Sequence, residues 1–71
     1  MKSRDYIKLL LKRSGLSMRA LSLRAGLSEA HVFLLITGKR NADRYTATKL
    51  IKIGREYDMA LTMGMLMDMV D

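Results

Sequence analysis

Residues 28–40 read SEAHVFLLITGKR, and how this run folds decides the architecture of the whole chain. Val32, Phe33, Leu34, Leu35 and Ile36 are consecutive apolar residues, which suit a buried strand or a helix equally well. The flanks separate the two. Ser28 is a residue type that caps helix starts, and Gly38 is the type that closes helix ends in a left-handed conformation. At about 100° per residue, a helix puts Val32, Leu35 and Ile36 on one face and Ala30, Phe33 and Leu34 on the opposite side. The first set is core by ordinary spacing. The second is left as an apolar working face.

Outward from this run, the rest of the chain reads the same way. Gly15, Gly26 and Gly38 each follow an amphipathic stretch, and Ser17, Ser28 and Thr46 stand where N-caps are needed. Proline is absent and β-branched residues are few. The pattern predicts an all-α, compact, five-helix domain with helices at about 3–13, 18–25, 29–37 and 46–57 and a Met-rich segment over 60–70. The helices at 18–25 and 29–37 are joined only by Gly26-Leu27-Ser28, which forces a steep crossing. Small residues at Ser22 and Ala25 permit the close approach, and Leu21, Val32 and Leu35 fill the space between. This is a helix-turn-helix arrangement over about 18–37.

The totals set limits. The 71 residues make a single domain, 1–71, whose core supplies about 3–5 kcal/mol of net stability. With no Cys and one His, no disulfide, thiolate metal site or multi-histidine cluster is available. No apolar run spans a membrane and no signal peptide is visible, so the expectation is a soluble cytoplasmic protein. No cofactor is expected. No nucleophile–base pair, Gly-rich phosphate loop or usefully spaced carboxylate pair is present, which argues against an enzyme.

Charge is divided unevenly. The net charge is +6, with all 13 Lys and Arg within residues 1–55 beside Asp5, Glu29 and Asp43. Residues 56–71 carry Glu56, Asp58, Asp68 and Asp71 and no base. A basic body points to a polyanion, although basic surfaces also simply keep small proteins in solution.

GLSMRALSLRAGLSEAHVFLLITGKR resembles the helix-turn-helix family of Cro and the lambdoid phage repressors, often called XRE-type. The shared pattern is Gly15-Leu16-Ser17, Leu21, Ser22, Gly26-Leu27-Ser28, Val32, Leu35 and Gly38-Lys39-Arg40. LIKIGREYDM at 50–59 looks like the fourth helix and its exit. The resemblance covers about residues 6–66 and implies a λ-repressor-like fold. It implies a double-stranded DNA-binding transcriptional regulator, a Cro-like repressor of a phage or mobile element working at a palindromic operator.

Four departures stand out. Met18 replaces a Gln that donates to a phosphate in the family. Leu11 and Ile36 replace an Arg–Glu pair, a coordinated change which implies that the two side chains touch, because lone buried charges are costly and packed hydrocarbon is not. Gly54 stands where alanine is usual. The recognition helix lacks the Gln, Asn or Arg readers.

Carried over residue by residue, the resemblance places Glu29, Ala30, His31, Phe33 and Leu34 against base edges. Leu34 and Ala30 suit thymine methyls, and Glu29 suits a cytosine amino group. Ser17, Arg19, Ser28, Lys39, Arg40, Asn41 and Arg44 are the phosphate contacts, with Asn41 open to a base instead. Lys2, Lys8 and Lys49 read better as plain solvation.

The 59–71 segment carries Met59, Leu61, Met63, Met65, Leu66, Met67, Met69 and Val70, more hydrocarbon than one small helix hides. Methionine suits adaptable contacts. A homodimer interface is expected, with completion of the chain's own core as the plainer alternative. No small-molecule effector is expected. A different class of function also stands: a protein-interaction module, an antitoxin or antiactivator, using Phe33, Leu34 and the Met segment against a protein.

Overall fold

A computed structural model describes residues 1–67 of the chain. Five α-helices appear among them, α1 Ser3–Ser14, α2 Met18–Ala25, α3 Glu29–Ile36, α4 Arg44–Glu56 and α5 Met63–Met67, and no strand.

Each helix starts where a side chain satisfies a free amide. The Ser17 hydroxyl accepts from the Ala20 amide at 3.0 Å, and the Ser28 hydroxyl accepts from the His31 amide at 3.0 Å. At α1 the Asp5 carboxylate accepts from the Lys2 amide at 2.8 Å. Helix α4 departs from expectation, because Asp43, not Thr46, is its cap. The Asp43 carboxylate accepts from the Thr46 amide at 2.7 Å, and α4 begins two residues early. Thr46 is buried within the first turn, where a capping hydroxyl would have no open amide to meet.

Three helix ends share one closure. An amide two or three residues past the end returns to a carbonyl five residues back: Leu27 to Ser22 at 2.8 Å, Lys39 to Leu34 at 3.0 Å, Met59 to Gly54 at 2.9 Å. This bond needs a left-handed residue at the bend. Gly26 (φ 69°) and Gly38 (φ 77°) supply it at no steric cost, whereas Asp58 (φ 58°) supplies it under strain.

The core collects one stripe from each helix. Ile7 and Leu10 come from α1, Leu21 and Ala25 from α2, Val32 and Leu35 from α3, and Ala47, Leu50 and Ile53 from α4. Helices α2 and α3 pack on each other, with Ser22 and Ala25 buried. The Ser22 hydroxyl donates back to the Arg19 carbonyl at 2.7 Å, so this small polar residue adds no unmet donor to the contact. Leu11 and Ile36 are both half-buried against the core on the mutually packed α1 and α3. The radius of gyration, 10.5 Å, is close to the roughly 11 Å of a compact chain this long.

The end of the described chain closes the core. Helix α5 packs on α1 and α4, and the Ser3 hydroxyl donates to the Leu66 carbonyl at 2.6 Å. Residues 57–62 fold back over α4. A Cβ at Gly54 would lie 2.9 Å from Leu61 Cδ1 and 3.3 Å from the Met59 carbonyl oxygen, so glycine makes room for the returning chain. Helix α5 starts later than the 60 expected, at Met63, after the Thr62 hydroxyl accepts from the Met65 amide at 3.2 Å; residues 68–70 of the expected segment lie outside the described residues. No helix among the described residues is long and apolar enough to cross a membrane.

Candidate nucleic-acid interface

The α3 helix splits its long apolar run as the wheel requires. Val32 and Leu35 are fully buried, Ile36 is half-buried, and Phe33 is 48% exposed. Glu29 and Ala30 are exposed, and His31 and Leu34 are half-buried. The residues expected to read bases therefore form a continuous outer strip, with Phe33 its largest open element and Leu34 partly sunk beneath it.

The loop between α3 and α4 is tied down at three points. The Lys39 and Arg40 amides both donate to the Leu34 carbonyl, at 3.0 and 3.3 Å. Ala42 is buried at the middle of the connection, and Asp43 caps α4. With the backbone fixed, the side chains of Lys39, Arg40, Asn41 and Arg44 are left exposed. At the start of α2, Ser17 and Arg19 are exposed, while Met18 turns toward the core. Ser17 and Ser28 spend one acceptor lone pair on their caps, and each hydroxyl hydrogen stays available to an outside acceptor.

Among the described residues the one ion pair joins Arg24 to Glu56. It ties α2 to α4, and the Tyr57 hydroxyl takes a second Arg24 hydrogen bond at 2.9 Å. Hydrogen bonding and charge from Glu56, then the charge of Tyr57, hold the Arg24 guanidinium above its ordinary pKa. Among the described residues, the cations at 19, 39, 40 and 44 form no ion pair with a carboxylate. Asp43, the acid closest in sequence to the last three, is bonded to the Thr46 amide. That backbone bond, then the Thr46 side chain, then His31 and Arg40, lower its pKa.

Two features lay outside the sequence reading. Lys2 and Arg4, at the start of α1, border a cleft with Gly38 and Asn41. This adjacency arises from packing of α1 on α3 and leaves no local signal. The Lys49 ammonium lies 5.3 Å from the ring centre of exposed Tyr45, a cation–π contact where plain solvation was expected.

The C-terminal expectation needs correcting. Met59, Leu61 and Leu66 were assigned to a contact between copies, but their side chains are buried in the chain's own core. The fold-back over Gly54 brings them there. Met63, Met65 and Met67 are half-buried against the same core and keep part of their surface open. Met69 and Val70 lie outside the described residues. No group of three or more His, Cys, Asp or Glu among the described residues is placed to hold a metal ion.

Comparison with family models, curated proteins and solved structures returns no match to this chain.

Proposed function

We propose that the protein is a sequence-specific double-stranded DNA-binding regulator, a Cro-like repressor acting through a helix-turn-helix made of α2 and α3. One observation carries the reading. A backbone-tethered loop carrying Lys39 and Arg40, followed by Arg44 at the start of α4, continues directly from a helix whose outward strip is Glu29, Ala30 and Phe33, and none of the three cations forms an ion pair among the described residues. Cations that no carboxylate neutralises suit phosphate oxygens, and a two-turn helix beside them suits a major groove.

Base reading would run through hydrocarbon. Phe33, Leu34 and Ala30 favour thymine methyls, with Glu29 and His31 adding polar discrimination at the edges. Binding as a homodimer through the open faces of Met63, Met65 and Met67 would place two α3 helices about one duplex turn apart on a palindromic site. Repression then follows by occlusion of promoter DNA from RNA polymerase.

Selection from a random duplex library tests this. Enriched palindromes are expected, with a log–log salt slope of about −5 to −7 if each copy neutralises three or four phosphates. Uniform weak binding would favour the second reading, a protein-interaction module on the same scaffold. The exposure of Phe33 and the lack of an amide or guanidinium reader on α3 speak for it.

A further inference from the structure

A cleft of about 150 Å³ opens between the start of α1 and the turn that ends α3. Its walls are Lys2, Arg4, Gly38 and Asn41. At about 30 Å³ per water in the liquid, it has room for a tetrahedral anion.

Its chemistry is one-sided. Lys2 offers an ammonium, Arg4 a guanidinium and Asn41 an amide N–H₂, and the Asn41 carbonyl is the sole acceptor among those side chains. Neither cation pairs with a carboxylate among the described residues. The neighbouring acids are engaged by backbone amides, Asp5 by that of Lys2 and Asp43 by that of Thr46, and neither forms an ion pair with Lys2 or Arg4.

Arg4 is exposed and reaches over the turn that ends α3. Its side chain lies against the bare Cα of Gly38, where a Cβ would come within 2.8 Å of Nη1 and 2.9 Å of Cδ. Gly38 is required for its positive φ, and its bare Cα lets the Arg4 side chain lie directly on the turn. A guanidinium lying against the Gly38 backbone, with no carboxylate partner among the described residues, matches two oxygens of a phosphate group.

Lys39 and Arg40 stand between Gly38 and Asn41 in the chain, so the cleft continues the loop's basic track. Resting on the DNA-binding reading, we propose that Lys2, Arg4, Gly38 and Asn41 form a binding site for one phosphate oxyanion, supplied by the duplex backbone. Helix α1 would thereby extend the footprint by one phosphate beyond the helix-turn-helix and its loop.

The test uses the full chain with a mixed-sequence duplex, and separately with inorganic phosphate against chloride at equal ionic strength. Arg4→Gln is expected to reduce the salt slope by about 0.9 per copy, the value for one lost phosphate. Arg4→Lys, which keeps the charge, should retain most of the slope, and Lys52→Gln on α4 serves as the equal-charge control. Thermal melts confirm that each variant is folded. In the phosphate arm, the Gly38 and Asn41 amide resonances should shift in the parent and not in Arg4→Gln.

If Arg40→Gln weakens duplex binding while Arg4→Gln leaves affinity and slope at the Lys52→Gln level, the site is overturned and the DNA reading stands. If the parent binds no duplex but phosphate still shifts Gly38 and Asn41 through Arg4, the DNA reading falls and the oxyanion site stands with a free anion as its ligand. If neither duplex nor phosphate is bound, both fall.

Discussion

The hydroxyl of Ser3 donates a 2.6 Å hydrogen bond to the carbonyl of Leu66, 63 residues away. Both residues are buried, so the bond fastens α5 to the first turn of α1 in a place without competing water. Ser3→Ala removes the donor to the Leu66 carbonyl. A loss of about 1–2 kcal/mol is expected, or roughly 4–15 °C in Tm for a domain of this size. Thermal unfolding by circular dichroism measures it, and an unchanged Tm would show that the bond contributes nothing.

Asp58 holds a left-handed conformation where the equivalent bends use glycine. Asp58→Gly relieves that strain while keeping the Met59-to-Gly54 closure. Stability should rise by about 0.5–1 kcal/mol, read as a higher urea midpoint at constant m-value. A lower midpoint would mean that the Asp58 side chain itself holds the turn.

Phe33 should separate function from stability. About half its surface is open, so Phe33→Ala gives up only part of a ring's burial and should cost about 1–2 kcal/mol, partly offset by alanine's better helix propensity. On the proposed function, the same change weakens binding to a selected duplex several-fold and relaxes preference at one base pair. Paired melting and competition binding decide it, since equal losses against all sequences would deny Phe33 a reading role.

The Asp43 cap gives a pH signature. Its pKa is lowered in the folded chain by the Thr46 amide, from an ordinary value of 3.8. The cap's stabilisation is therefore fully present above that value and is lost as pH falls through the folded one. Asp43→Asn keeps a capping acceptor but removes the titration. Its Tm-against-pH curve should be flatter than the parent's on the acid side of about pH 4, and parallel curves would show that other carboxylates control acid unfolding.

How much of this was legible beforehand depends on the range over which each signal acts. Helix starts at Ser17 and Ser28 and bends at Gly26 and Gly38 are local chemistry, and their residue types announce them. Asp43 was missed because Thr46, three residues on, is an equally good cap on paper, and burial of Thr46 decided between them. Met59, Leu61 and Leu66 resemble surface hydrocarbon until the fold-back over Gly54 is known. Gly54 itself read only as an oddity in a helix. The Arg4–Gly38 contact joins two helices through packing alone, which no spacing pattern encodes.

Residues 57–62 form the irregular span between α4 and α5, with Asp58, Ala60 and Thr62 exposed between side chains that point inward. One cut there by a protease would detach the hydrocarbon lid resting on α1 and α4. A chain of this size has no reserve to survive that loss. Limited proteolysis therefore reads out how often this short span lifts away from α1 and α4.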